Sequence, residues 1–196
     1  MQPELVFDAV RRGYNNLEHS SNNEIVAYFE QVNPDAMVGH ISNVKGIVFE
    51  QEVAAALNDQ GLDTELFEAT NHAVTDIAIM NEGDIAAEVQ LKATDSVSYI
   101  NETLAEHPDV PIIVTSEVAN SIDSVMVIDS GIGNDTLTQA VTETLARQQV
   151  PGIASDTATE LGSDAVSEGL AEIVADVAIP VSPIGFGIGL LFGLPF

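Results

Sequence analysis

Apolar residues recur with the period of a helix in two stretches near the start of the chain. In residues 20–32 (SSNNEIVAYFEQV), serine and asparagine provide capping residues, and the apolar positions after them share one helical face: Ile25, Val26, Phe29 and Val32. This pattern predicts a helix that Pro34 ends. Residues 44–60 repeat the helical period, and Gly61 after them is typical of a C-terminal cap. They predict a second helix.

The period changes to two in the middle of the chain. Residues 64–70, 75–80 and 85–93 are short alternating stretches, and turn residues (NHAV and NEGD) separate them. Alternation of this kind, interrupted by turns, is typical of antiparallel strands. These stretches predict a three-stranded meander.

Helix and strand patterns then alternate. Residues 95–108 return to helical spacing behind Asp95 as a cap, and residues 110–116 and 124–130 are β-branched apolar runs that predict strands. Residues 134–150 predict an amphipathic helix, closed by Pro151 and Gly152. The order helix, three strands, helix, strand, strand, helix indicates an α/β fold with a mixed sheet.

The composition divides the chain into four segments. We predict a helical N-terminal segment (1–39), a sheet domain (40–130), a helical C-terminal segment (131–176) and an apolar tail (177–196). The tail has no charged residue, and its length would allow it to cross a bilayer, but its prolines and glycines disfavour a helix. Membrane contact and a packed or partner-binding tail both remain open.

The charge of the chain is strongly negative. There are 31 acidic and 5 basic residues, which gives a net charge of -26, and Lys45 and Lys92 are its two lysines. Such a field repels phosphate backbones and would suit a salt-rich cytoplasm or a basic protein partner. The absence of cysteine excludes disulfides and thiolate metal sites. The N-terminal residues lack the apolar core of a secretory signal, so we expect a cytoplasmic location, with membrane association through the tail as an open alternative.

The strand that ends near Lys92 carries a group of polar residues. Because side chains alternate along a strand, Glu88, Gln90 and Lys92 are expected to share one face. Asp76 lies on the preceding strand and Glu50 on the helix before the meander. A hard divalent cation such as Mg²⁺ prefers oxygen ligands of this kind, and a nearby lysine can orient an attacking water.

Three short motifs in this region carry a resemblance to a known family. GIVFE (46–50), Asp76 in TDIAI, and VQLK with Gln90 and Lys92 together resemble the PD-(D/E)XK nuclease superfamily, most closely Mrr-like restriction endonucleases. The resemblance covers about residues 44–130. It implies a restriction-endonuclease-like core and an endonuclease, dependent on Mg²⁺ or Mn²⁺, that hydrolyses phosphodiester bonds in DNA.

The resemblance also implies roles for individual residues. Asp76 would ligate the metal together with the side-chain oxygen of Gln90 and the backbone carbonyl of Leu91, Glu50 would support metal or water, and Lys92 would assist the attacking water. The sequence departs from the family at Thr75, where a proline is usual, and at Gln90, which replaces a carboxylate. As auxiliary residues, Glu88 would supply the missing charge and His72, in the turn before Asp76, would contact substrate or metal.

Simpler interpretations of the same residues remain open. Glu50 would be a solvated acid, Asp76 a turn cap, and Lys92 the partner of Glu88 in an exposed ion pair worth less than about 1 kcal/mol. On this view the protein is a non-catalytic acidic interaction protein with a nuclease-like fold, and its apolar tail contacts a membrane or partner. A homodimer is a further possibility in either case.

Overall fold

The computed structural model describes residues 1–67 and 74–146. His72, residues 68–70 of the predicted 64–70 strand, residues 147–176 of the predicted 131–176 segment and the 177–196 tail lie outside the described residues. Within the described ranges, no helix is both long and apolar enough to span a membrane.

The elements follow one another in the order predicted from the sequence. The helices are α1 (Pro3–Gly13), α2 (Asn22–Glu30), α3 (Pro34–Asp59), α4 (Val97–Glu106), the short α5 (Ser116–Ala119) and α6 (Asn134–Leu145), with a 3₁₀ turn at Asn15–Leu17. The strands are β1 (Asp63–Leu66), β2 (Ile77–Asn81), β3 (Asp84–Lys92), β4 (Ile112–Val114) and β5 (Val127–Asp129). The short α5 was not predicted.

The five strands form one mixed sheet in the order β1-β2-β3-β4-β5. The first three strands are antiparallel, whereas β3, β4 and β5 run parallel to one another. The hairpin between β2 and β3 turns through Glu82 and Gly83, whose φ angles of 54° and 91° are those of a tight two-residue turn. Parallel neighbours need a crossover, and α4 and α5 provide it. The predicted α/β class with a mixed sheet is confirmed.

Helices cover both faces of the sheet. Ile77, Ile79, Val89 and Leu91 belong to the larger core, which also contains buried residues of α1, α2, α3 and α6. Ile112 and Val114 on the opposite face belong to a smaller cluster with Ile100 of α4 and Val118 of α5. Helix α3 therefore lies against one face and α4 against the other, and both helices reach the end of the sheet where β3 stops.

Helix α3 begins earlier than predicted. The sequence predicted that Pro34 ends a helix and that the next one starts near residue 44, whereas Pro34 is the first residue of α3. The Asn33 side chain caps this helix by accepting a hydrogen bond from the amide of Asp35 at 2.9 Å. Proline is suited to a first helical position because the amide it lacks would have no helical partner there. The same residue that stops one helix can therefore start another.

The predicted bounds of later elements differ by a few residues as well, and α4 and α6 are examples. Ser96, not Asp95, caps α4, because its hydroxyl accepts a hydrogen bond from the amide of Tyr99 at 3.3 Å. Helix α6 spans Asn134–Leu145, and residues 147–150 of the predicted helix lie outside the described residues.

Candidate functional site

A pocket of about 410 Å³ lies at the end of the sheet, between α3 and α4. It brings together four residues that the sequence singled out: Glu50 from α3, Asp76 just before β2, and Leu91 and Lys92 at the end of β3. Other lining residues come from α3, from the segment after β3 and from α4: Ser42, Asn43, Gly46, Ile47, Ala93, Thr94 and Tyr99. The antiparallel hairpin explains this convergence in part, because the start of β2 and the end of β3 are neighbours.

Asp76 is fixed where β2 begins to pair with β3. Its Oδ2 atom accepts a hydrogen bond from the amide of Leu91 at 2.7 Å, and its own amide donates to the carbonyl of Val89 at 3.0 Å. The side chain therefore joins the start of β2 to the end of β3 by a hydrogen bond. The Asp76 carboxylate therefore lies next to Leu91, the residue that precedes Lys92.

Glu50 is a largely buried acid. Its side chain is 14 % exposed, and Arg12 Nη1 donates a hydrogen bond to its Oε2 atom at 3.0 Å. The pKa of Glu50 is raised to about 7, chiefly by burial and next by the nearby Asp76 carboxylate, while Arg12 and Lys92 oppose the rise. The interpretation of Glu50 as a solvated acid is therefore wrong. Two carboxylates and two cations interact across this pocket.

Lys92 is partly buried beside an aromatic ring. Its Nζ atom lies 5.6 Å from the centroid of the Tyr99 ring, within the range of a cation–π contact. Within the described part of the chain no ion pair joins Lys92 to Glu88, which is exposed and accepts a hydrogen bond from the Thr75 hydroxyl at 3.5 Å. The simple surface ion pair is therefore not observed, and Glu88 does not line the pocket.

Gln90 is buried but does not line the pocket. It is 7 % exposed, and among the described residues its Oε1 atom has no hydrogen-bond partner. A buried oxygen without a donor is unfavourable, and such atoms in proteins usually bind a water or an ion. Of the metal ligands implied by the resemblance, Gln90 is thus the one that stands apart from the pocket lining.

Arg12 was not predicted as a functional residue. It lies in the last turn of α1 and donates to Glu50 and, through Nη2, to the carbonyl of Phe67 at 2.8 Å. It therefore ties α1, α3 and the end of β1 together at the pocket. The chain has 5 basic residues, so Arg12 is one of a small number of them, as Lys92 is, and could have been selected on the same ground. Lys45, by contrast, donates to the Asn134 side chain at 2.6 Å and does not line the pocket.

The side-chain oxygen atoms of the pocket are suitable ligands for a hard divalent cation. The described residues contain no cluster of three or more histidine, cysteine, aspartate or glutamate side chains that would hold a metal. Mg²⁺, however, commonly uses one or two carboxylates and keeps several waters. Asp76 and Glu50 supply two, and a cation between them would relieve the repulsion that raises the pKa of Glu50. The residues present therefore fit such an ion.

Comparisons with protein-family models, curated proteins and solved structures gave no match to this chain.

Proposed function

We propose that this pocket is the active site of a metal-dependent nuclease with a restriction-endonuclease-like core of the PD-(D/E)XK kind. The observation that carries the proposal is the meeting of Glu50, Asp76 and Lys92 in one pocket, although they come from three different elements. A surface that needed only solubility would have no reason to bury one acid beside another, since this burial costs free energy. Phosphodiester hydrolysis gives the arrangement a use.

The side chains have distinct roles in this reaction. Asp76 and Glu50, with the carbonyl oxygen of Leu91, would hold Mg²⁺ or Mn²⁺, and the buried Oε1 atom of Gln90, which lies outside the pocket lining, would be a further ligand. The ion would supply charge neutralisation at the phosphate and a more acidic water. Water would attack phosphorus and give up a proton to solvent, while the P–O ester bond breaks and the leaving oxygen takes up a proton to become a hydroxyl. Lys92 orients this water and stabilises negative charge that develops on the phosphate oxygens. Glu50 would bind the ion as its carboxylate, so its pKa of about 7 in the metal-free protein means that metal binding weakens as the pH falls below about 7.

The test is metal-dependent cleavage of DNA by matched pairs of variants. With Mg²⁺ or Mn²⁺ we expect the wild type to cut, and Lys92→Ala to lose at least about 100-fold in rate, a typical loss for one catalytic donor or base. Lys45→Ala is the matched lysine control, because Lys45 is bonded to Asn134 outside the pocket. Asp76→Ala is paired with Asp84→Ala, which alters an exposed residue of the hairpin.

Two results would refute the nuclease. One is a wild type that cuts no nucleic acid over a range of divalent metals, salt concentrations and substrates. The other is equal activity in Lys92→Ala and Lys45→Ala, which would assign the cleavage to a contaminant or to another site.

The alternative proposal is a non-catalytic acidic interaction protein, and the net charge of -26 favours it. A basic protein would then bind through long-range attraction, and the complex would weaken steeply with salt. Lys92→Ala would leave such binding unchanged. A basic partner, a homodimer and contact of residues 177–196 with a membrane belong to this proposal as well as to the first.

A further inference from the structure

Tyr99 presents an exposed aromatic ring at the pocket. It is 46 % exposed, and it is the only large exposed apolar residue of the described ranges that also lines the pocket; the others are Val38, Ile85 and Val125. Its ring stands beside Lys92, whose Nζ atom is 5.6 Å from the ring centroid. An aromatic face next to a cation is the surface on which nucleic-acid bases stack in proteins that bind single strands.

Gly46 leaves the opposite wall of the pocket bare. It lies inside α3, where glycine is less favourable than alanine. A Cβ atom at this position would meet no atom within 4 Å, so packing of the protein does not require a glycine here. Gly46 lines the pocket, and its missing side chain keeps that part of the pocket open.

The charge of the domain disfavours a duplex. Residues 40–130 contain 17 acidic residues and the two lysines Lys45 and Lys92, which is a net charge of -15. A duplex presents two phosphate backbones to this field, and its binding relies more on release of counterions by basic residues than the binding of a single strand does. An unpaired strand also frees its bases to stack on an exposed aromatic side chain, which contributes to binding beyond the contacts to phosphate.

We propose that the pocket accepts an unpaired nucleic-acid strand, with one base stacked on Tyr99 and the backbone passing the bare surface of Gly46 to reach Lys92. This inference rests on the proposed nuclease function and adds to it the substrate class and two residues that determine it.

The first experiment compares one oligonucleotide sequence as a single strand and as a blunt duplex, in the presence of Mg²⁺ or Mn²⁺. We expect kcat/KM of the wild type to be at least about 10-fold higher on the single strand. Tyr99→Ala should raise KM for the single strand about 10-fold, within the range measured for loss of one stacked base, with kcat nearly unchanged. Tyr99→Phe keeps the ring and should behave as the wild type. A variant that merely displaced Lys92 would instead lower kcat.

The second experiment fills the bare wall. Gly46→Leu should raise KM or abolish cleavage, whereas Gly39→Leu should leave both unchanged. Gly39 is the matched control, because it also lies within α3 with nothing within 4 Å of a Cβ atom, yet does not line the pocket. Gly46→Ala, the smaller change, shows whether an effect grows with side-chain size, and thermal unfolding verifies that each variant is folded.

The outcomes separate this inference from the proposed function. A wild type that cuts nothing refutes both. A wild type that cuts duplex and single strand equally well, or a Tyr99→Ala variant with unchanged KM, refutes the single-strand inference and leaves the nuclease standing. Equal effects of Gly46→Leu and Gly39→Leu would likewise overturn the role of Gly46.

Discussion

Asp76 accepts a hydrogen bond from the backbone amide of Leu91, the residue immediately before Lys92, at 2.7 Å. The same carboxylate thus holds two strands together and contributes negative charge to the pocket. Substitution can separate these two roles of Asp76. In Asp76→Asn the side-chain oxygen still accepts the hydrogen bond, whereas the negative charge is lost.

We therefore expect Asp76→Asn and Asp76→Ala to differ in stability but not in activity. Asp76→Ala leaves the Leu91 amide without an acceptor and should lower the free energy of unfolding by about 1–3 kcal/mol, while Asp76→Asn should cost less. Both should lose metal-dependent cleavage. Urea denaturation and the cleavage assay measure the two effects, and an active Asp76→Asn variant would contradict a role in holding the metal.

The pKa of Glu50 predicts a pH dependence of stability. Burial raises this pKa from 4.5 to about 7 in the folded protein, so the folded state favours the protonated acid. The stabilising contribution is complete below about pH 4.5 and is lost as the pH rises through 7, by roughly 3 kcal/mol in total. Glu50→Gln should remove this loss. The relevant measurement is the difference between wild type and variant across pH 4–8 without divalent metal.

An exposed acid provides the control for this experiment. The general repulsion among the acidic residues also lowers stability as the pH rises, and it affects wild type and variant alike. Glu102→Gln, on the exposed side of α4, removes one charge and should leave the slope close to that of the wild type. A parallel decline in wild type and Glu50→Gln would show that Glu50 titrates normally.

The pair formed by Arg12 and Glu50 predicts a non-additive double substitution. Arg12→Gln leaves a largely buried carboxylate without its cation and should lower the free energy of unfolding at pH 8 by about 3 kcal/mol. Adding Glu50→Gln to this variant should restore most of the loss, because no unpaired charge remains buried. Chemical denaturation of the two single variants and the double variant completes the cycle. Additive effects would mean that the two side chains act independently.

Replacement of Gln90 should raise the stability of the metal-free protein and reduce the stabilisation of the protein by Mg²⁺. Gln90→Met removes a buried oxygen that has no partner among the described residues, so the metal-free protein should become more stable, by about 1 kcal/mol. If Gln90 lends this oxygen to the ion, Mg²⁺ should stabilise the wild type and no longer stabilise the variant. Gln51→Met is the matched control, because Gln51 Oε1 is likewise buried without a partner among the described residues, whereas Gln51 lies on α3 and is not one of the residues proposed to hold the ion. Equal metal responses in both variants would exclude Gln90 as a ligand.

The order of the elements could be predicted from the sequence because local signals determine it. Alternation and turn residues set the hairpin of β2 and β3, and this hairpin alone brings Asp76 near Lys92. Pro34 was misread because proline is favoured at the start of a helix as well as after its end, and the capping residue Asn33 was the signal that distinguishes the two. Asp95 was misread because two capping residues stand side by side.

The remaining parts of the pocket depend on packing that no local pattern records. Arg12 contacts Glu50 across 38 residues of sequence, which requires α1 to dock on α3. Tyr99 reaches the pocket because α4 crosses the opposite face of the sheet. Resemblance supplied Glu50 as a candidate, but its burial and the raised pKa follow from tertiary structure alone.

The tight turn at Glu82 and Gly83 has a consequence for how the site comes into being. A hairpin closed by two residues forms early, within microseconds, since little chain entropy opposes it. We therefore expect it to align Asp76 and Lys92 before the N-terminal helices dock. Glu50, on α3, reaches the pocket only when the long-range contacts form. A partly folded chain would therefore hold Asp76 and Lys92 in place without Glu50. The proposed nuclease would then be inactive until folding is complete. In refolding experiments, cleavage should recover after the hairpin signal and together with the burial of α3.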